Sequence, residues 1–485
     1  MKYFSLILLL ILSSLSLYAQ QKGENLIIVG DSLVGTFTAG ESIREIYGNV
    51  VLTQGDLIIT CDLAIQYISK NDAKLIGNVI AKQDSLTITT PEGFYYGDER
   101  IAQSDKGVHL DDQKVILTAQ TGEYFFNEDR AHFVNNVRLF DTTSTLTADE
   151  LTYFQTQDRA VAVGNVKIID STNTIIADSL EHFRQSRITI ANRNVKISSS
   201  QNSVEIFGNH LEDYPARLYT LITEKPLLMQ VDTSYTVTLD TLGNGIIDSS
   251  RIPQLDTLVI KSLVMEAIRD TSNIFIAKDS VQIIRSGFAS KNDFTTYFRT
   301  GEMIVTKKIS HEAQQPIIWY DNSQLTGDSV AIYLEQNSIK KLDVIKEAFI
   351  LSQNETYPQR FDQISGDSLY INFDEEGIDL TEVFGGVLSI YYMYENNEAN
   401  GLIKSSSHTT KIKFDDKKVD EVRLYGQPTS EYYPEPQVSG KELSFTLPRY
   451  MFHKNRPQKE KLLEEINFQQ INNEIGYDGK SNTEK

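Results

Sequence analysis

The chain has 485 residues, of which 40% are hydrophobic and 10% aromatic, enough to fold as two or three domains or as one long repeat array. Asp and Glu number 66 against 46 Lys and Arg, a formal net charge of -20. That balance excludes the basic footprint of a nucleic-acid-binding protein. The single cysteine, Cys61, excludes an intrachain disulfide.

Residues 1–19 have the form of a secretory signal peptide. Lys2 is the basic start, Phe4 to Leu17 is a short apolar run, and Ala19 offers a small residue for cleavage. The run is too short for a comfortable membrane span, and no cysteine follows it to carry a lipid. The remainder is therefore expected outside the cytoplasm, soluble or held only by its N-terminus.

From residue 20 to 211 the sequence repeats. Val50, Val79, Val108, Val137, Val166 and Val195 stand at successive steps of 29 residues. The preceding column reads Asn49, Asn78, Gly107, Asn136, Asn165, Asn194. Further columns hold Leu52, Ala81, Leu110, Leu139, Ile168 and then Ile59, Ile88, Leu117, Leu146, Ile175. An aromatic column runs Tyr67, Tyr96, Phe125, Phe154, Phe183. Each repeat holds two alternating, β-branched runs, such as 45–52 and 57–67, joined by short polar turns, which leaves no room for a helix. Repeats this short bury a face only by stacking on their neighbours, so the aliphatic columns predict a continuous apolar wall. The asparagine column predicts a bend, since Asn tolerates left-handed backbone.

Residues 212–256, with Pro215, Pro226, Pro253 and the turn Leu242-Gly243-Asn244-Gly245, read as an irregular insertion or linker. Strand-like runs resume at 257–263, 274–284 and 316–319. A looser grammar then follows at a 39-residue step, Gly327-Asp328-Ser329-Val330 and Gly366-Asp367-Ser368-Leu369, so 257–447 reads as a second, divergent β module. Gly440-Lys441-Glu442-Leu443 reads as a last, degraded copy. Residues 448–485 read as a polar tail with a short helix over 459–472.

Little in the chain suggests catalysis. The seven histidines show no metal-ligand spacing, and no nucleophile elbow, P-loop or dinucleotide fingerprint is present. Asp62, Asp149 and Asp178 recur, but Pro91 and Gln120 stand in the same column, which favours a turn role over acid–base work. The run 240–251 lacks oxygen donors at two positions of a calcium loop. Cys61 shares its column with Thr90, Ala119 and Ala148 and reads as a buried structural thiol. Trp319 reads as core.

Taken together, the export signal, the repeated Gly48-Asn49-Val50, Gly77-Asn78-Val79 and Gly164-Asn165-Val166, and the strands opened by Ala148-Asp149-Glu150-Leu151 and Ala177-Asp178-Ser179-Leu180 resemble the OstA-like (LptA) family of lipopolysaccharide-transport proteins. The resemblance also extends to the N-terminal domain of LptD. It implies an all-β, repeat-built antiparallel β-jellyroll or β-taco, as two consecutive modules or one extended array. It implies a non-enzymatic periplasmic carrier without cofactor or metal, whose apolar trough shields the acyl chains of lipopolysaccharide. Its open β-edges would meet LptC-like and LptD-like partners on the way to the outer membrane. The family supplies no catalytic motif, so the expected trough lining comes from the columns: Val50, Leu52, Ile59, Val79, Ile88, Val108, Leu110, Leu117, Val137, Leu139, Leu146, Val166, Ile168 and Ile175. Lys70, Lys74 and Arg100 are the expected rim contacts for anionic head groups. A secreted or surface structural β-repeat protein with a closed core, an adhesin or scaffold, is the alternative. An enzyme on a β-solenoid would need a charged cluster on one sheet face, which the sequence does not display.

Overall fold

The computed structural model describes residues 25–38, 40–199, 203–241, 247–285, 287–335, 338–374, 377–415 and 418–464. The proposed signal peptide and the glycine turn at 242–246 lie outside them. The chain divides into two compact units, Met1–Ser171 with Ile176–Gln185, and Thr172–Ile175 with Ser186–Lys485. Both are built almost wholly of antiparallel strands, the all-β repeat architecture expected from the sequence.

In the first unit each long strand pairs with the next along the chain. Glu41–Gln54 pairs with Leu57–Tyr67, that strand with Asp72–Gln83, and that in turn with Leu86–Tyr96. The turns between them are as short as Gly55-Asp56. The register shifts where the repeated word falls, between Tyr47 and Val50, Ile76 and Val79, and Val134 and Val137. These are β-bulges, and they bend the strand. Gly48, Gly77 and Gly164 lie at φ 72°, 78° and 76°, and the following Asn49, Asn78 and Asn165 at 44°, 48° and 46°. Two consecutive left-handed residues suit Gly and Asn and few others.

A carboxylate locks three of these bends. The side-chain amides of Asn49, Asn78 and Asn165 donate to Asp31, Asp62 and Asp149 at 2.9, 2.9 and 2.7 Å. A Cβ on Gly48, Gly77 or Gly164 would collide with that same aspartate. The recurring aspartates are thus parts of a bend. Where Pro91 replaces the aspartate, the partner sixteen residues on is Gly107 rather than Asn, and the strand there breaks into Ile101–Ser104 and Val108–Asp111. A second left-handed column, also at 29-residue steps, closes the hairpins: Asn71, Arg100, Asp129, Asp158 and Arg187 lie between φ 47° and 58°.

The second unit keeps the bulges and loses the word. Shifts occur at Asp279-Ser280, Lys346-Glu347 and Gly385-Gly386, all at positive φ. The stretch 212–256 is not irregular, as the prolines suggested. It carries the end of Val204–Tyr214, then Tyr219–Thr223, Leu227–Thr241 and the start of Ile247–Lys261. Pro215 opens a one-turn 3-10 helix, Pro226 sits just ahead of a strand, and Pro253 pairs opposite Tyr235 in a long hairpin. Prolines are tolerated at a turn, ahead of a strand, and on an edge, where Pro253 lies outside the 259–261 stretch that pairs with a second strand.

The C-terminal segment also departs from expectation. After Thr429–Tyr433 the chain forms a one-turn helix at Glu435–Val438, and the expected last repeat copy at Gly440–Leu443 is a turn leading into the 3-10 helix Glu442–Ser444. The chain then runs as an irregular strap to the helix Lys459–Leu463; the rest of the expected helix, to residue 472, lies beyond the described residues. The strap covers the outer face of the unit's sheet. Val438 and Leu447 are buried with Phe349, Leu351, Phe361, Ile390, Tyr392 and Leu402. Leu462 is buried with Phe207, Met229, Val259, Ile284 and Trp319. Trp319 is therefore core, as expected, and its indole N–H donates to the His453 carbonyl at 3.4 Å.

Candidate functional site

Alternation along a bent strand sends every second residue inward, and the bulge restores that parity after the bend. All fourteen column residues expected to line a trough are buried, from Leu52, Leu110, Leu117 and Val166 at full burial to Ile175 at 9% exposure. Each such Val, Leu or Ile contributes roughly 1.5–3 kcal/mol on leaving water. Paired rungs are aliphatic on both sides: Leu52 faces Ile59, Leu110 faces Leu117, Val137 faces Ala148 and Leu139 faces Leu146.

The two halves of the bent strands face each other. A small cavity is lined by Ile59, Val79, Ala81, Ile88 and Val108 from beyond the bends, and by Leu75, Tyr124 and Phe133 from before them. It leaves about 30 Å³ for the centre of a water-sized sphere. That is room for one or two waters, not for an acyl chain. Around this cavity the interior is filled by its own side chains, and hydrocarbon enters there only if the halves spread.

A tyrosine column holds one margin of this interior, and the sequence reading missed it. The expected aromatic column, Tyr67, Tyr96, Phe125, Phe154, Phe183, is only half-buried. It lies under cations, with Arg130 3.8 Å above Phe125 and Arg159 4.2 Å above Phe154. One residue earlier runs the buried column Gln66, Tyr95, Tyr124, Tyr153, His182. Tyr95 donates to Gln54, whose amide donates on to the Gly97 carbonyl at 2.9 Å. Tyr124 donates to Gln155 at 2.7 Å and Tyr153 to Asp112 at 2.8 Å. Burial pushes the Tyr95 hydroxyl up to about 12, and Tyr124 and Tyr153 are raised for the same reason, so all three remain neutral donors. The 29-residue spacing of Tyr95, Tyr124 and Tyr153 was the available signal.

The expected rim cations are already engaged. Lys70 pairs with Glu41 at 3.2 Å, Lys74 with Glu92 at 2.8 Å and Arg100 with Asp56 at 2.6 Å. They do not present unpaired charge to an anionic head group. Asp158 likewise holds Arg184 at 2.7 Å and Lys114 at 3.3 Å; burial opposes its charge, but these partners outweigh it and keep the carboxyl below its ordinary range. Cys61 is buried, its thiol pushed up to about 11 by desolvation. Among the described residues no group of three His, Cys, Asp or Glu side chains is placed to hold a metal ion.

The strands Ile27–Val29 and Ser32–Thr38 both pair with Glu41–Gln54 alone among the described residues, which leaves an open edge. Leu33, Val34 and Phe37 are exposed there, Phe37 at 74%.

The family model described as OstA-like protein matches residues 26–135 and 115–206. Residues 26–206 are an OstA-like module. The bends, the aliphatic columns and the open edge all belong to it. The chain is also similar to the crystal structure of LptH, the LptA homologous periplasmic component of the lipopolysaccharide transport device of Pseudomonas aeruginosa. That likeness is 16% identical, covers 35% of this chain and 83% of the other, and has a TM-score of 0.10, too low to support a structural argument. A 4-hydroxy-3-methylbut-2-enyl diphosphate reductase of Helicobacter hepaticus is 31% identical over 97 residues. The match takes in 19% of this chain and about a third of the reductase, 36% of its length, and transfers no activity.

Proposed function

We propose that the chain is a non-enzymatic lipopolysaccharide carrier of the periplasm, and that the OstA-like module shields acyl chains between the two halves of its bent strands. The observation that supports this most is the unbroken register of the fourteen buried aliphatic positions behind the bulges. An acyl chain gains about 0.8 kcal/mol per methylene taken out of water, so one with a dozen methylenes gains about 10 kcal/mol toward spreading the halves. Equivalent rungs in series offer no single deep site, which suits passage along the module. Hydrocarbon needs no fixed hydrogen bonds, which is why a site of this kind has no motif.

Lpt-type partners, LptC-like or LptD-like, would add a strand to the open edge at Ser32–Thr38 by main-chain pairing. The exposed Leu33, Val34 and Phe37 suit that role, since a free edge in an isolated protein is ordinarily blunted by charge. Phe37→Lys should abolish co-purification of such a partner, and an unchanged yield would refute docking at this edge.

One observation favours a second reading. The interior is filled, as a structural β-repeat protein with a closed core would have it. Mass spectrometry of lipid extracted from the purified protein separates the two. Stoichiometric lipopolysaccharide supports the carrier, and a lipid-free protein that stays lipid-free after incubation with lipopolysaccharide supports the scaffold.

A further inference from the structure

We propose that acyl chains are carried by the first unit alone, and that the second unit is stiffened by the C-terminal strap and carries buried polar clusters that reject hydrocarbon. The proposal rests on the carrier reading above and divides the chain's labour within it.

The strap lies along one lateral row of the sheet. Registered pairing carries that row from Met229 through Val259, Ile284 and Ala289 to Trp319, and on through Gln324 and Leu351 to Gln363 and Ile390. Every member is buried, although the row faces away from the interior. The corresponding row of the first unit, just beyond the bends, includes Ile58, Ile116, Phe140 and Ile169, and all four are exposed. Along this row the first unit has one covered face and the second has two. A sheet half packed on both faces flexes less than one packed on a single face, and spreading requires it to flex.

The strap is gripped as an extended peptide rather than merely laid down. Gln363 donates to the Phe445 carbonyl at 3.2 Å and accepts from the Leu447 amide at 2.8 Å. Gln324 does the same at the next station, donating to the Met451 carbonyl and accepting from the His453 amide, both at 2.9 Å. Arg360, 2% exposed, pairs with Glu435 at 2.5 Å and Glu442 at 3.7 Å. Release of the strap would break these bonds and expose the apolar row beneath it to water, so the clamp is stable.

The interior of the second unit differs as well. Beside aliphatic rungs such as Val344 facing Leu369, its strands set Asn292 against Val281, Ser290 against Ile283, Ser407 against Val387 and Thr410 against Val383. Asn292 donates to Ser290 at 3.0 Å and accepts from Thr295 at 2.7 Å, and the hydroxyls of Ser407 and Thr410 meet at 2.9 Å. Hydrocarbon inserted there would break these bonds without replacing them. In the first unit Thr90 and Ser104 form such a pair inside, and the tyrosine column adds Tyr95 with Gln54 and Tyr153 with Asp112 at the margin.

Two measurements on the full chain test this. A photo-crosslinking residue at Leu110, Ile283 or Val383, irradiated with rough lipopolysaccharide micelles, should give at least tenfold more lipid adduct at Leu110. Adducts within twofold of one another at all three would overturn the proposal; no adduct at any would refute the carrier reading instead. Hydrogen exchange needs no lipid. Gln324→Leu with Gln363→Leu should speed exchange of the Leu351 and Ile390 amides at least tenfold and leave those of Leu110 and Leu139 unchanged, with Leu447→Ala as an independent variant of the same grip. Unchanged exchange at Leu351 and Ile390 in both variants would overturn the clamp.

Discussion

Gly77→Ala tests the bend directly. Gly77 sits at φ 78°, where an L side chain costs about 1–2 kcal/mol. Its new methyl would also strike the Asp62 carboxylate and push it from the Asn78 amide it now meets at 2.9 Å. Loss of that exposed hydrogen bond adds about 1 kcal/mol, so the variant should lose roughly 2–3 kcal/mol. Asp62→Ala alone removes only the hydrogen bond, and in its background Gly77→Ala should cost only the backbone term of about 1–2 kcal/mol. Urea unfolding followed by far-UV circular dichroism reads the loss. If Gly77→Ala costs less than about 0.5 kcal/mol, or costs the same with and without Asp62, the bend is not built as described.

Three further outcomes follow from buried groups. Tyr153→Phe leaves a buried oxygen of Asp112 without its 2.8 Å donor, so it should destabilise by about 1–3 kcal/mol in the same unfolding assay, whereas exposed Tyr47→Phe should be neutral. Burial raises the Asp362 carboxyl to about 7 from an unfolded value of 3.8, against the opposing Tyr392 amide. The native state therefore holds the extra proton. This contribution to stability is full below about pH 4 and is lost as the pH rises to 7, with a slope of up to ~1.4 kcal/mol per pH unit that Asp362→Asn should flatten. Cys61, with its thiol near 11, should react with iodoacetamide at pH 8 at least a hundredfold more slowly in the native protein than in urea; comparable rates would contradict its burial.

Much of the first unit was legible because its bends and its core are each written at a fixed period. Gly48-Asn49-Val50 names a left-handed pair and the inward residue after it, and all fourteen column residues proved buried. The tyrosine column was overlooked because its neighbour, Tyr67 to Phe183, is more uniformly aromatic, whereas Gln66 and His182 interrupt the buried one. In the second unit the same bend is made by Asp279-Ser280 and Lys346-Glu347, so the geometry persists after the word has gone. Of the strap, only the helix that carries Leu462 was legible. Val438 and Leu447 follow no strand or helix period, and only the fold brings the row from Met229 to Ile390 beneath them. Acyl-chain binding itself leaves no signature residue, because hydrocarbon is held by area rather than by directed bonds.

The most direct test of acyl-chain carriage is a photo-crosslinking residue placed at Val79 or Leu110 and irradiated in living cells. The account predicts a covalent lipopolysaccharide adduct from these inward positions and none from exposed Ile58 or Ile116. Adducts absent from every inward position, in a protein that is folded and exported, would contradict it.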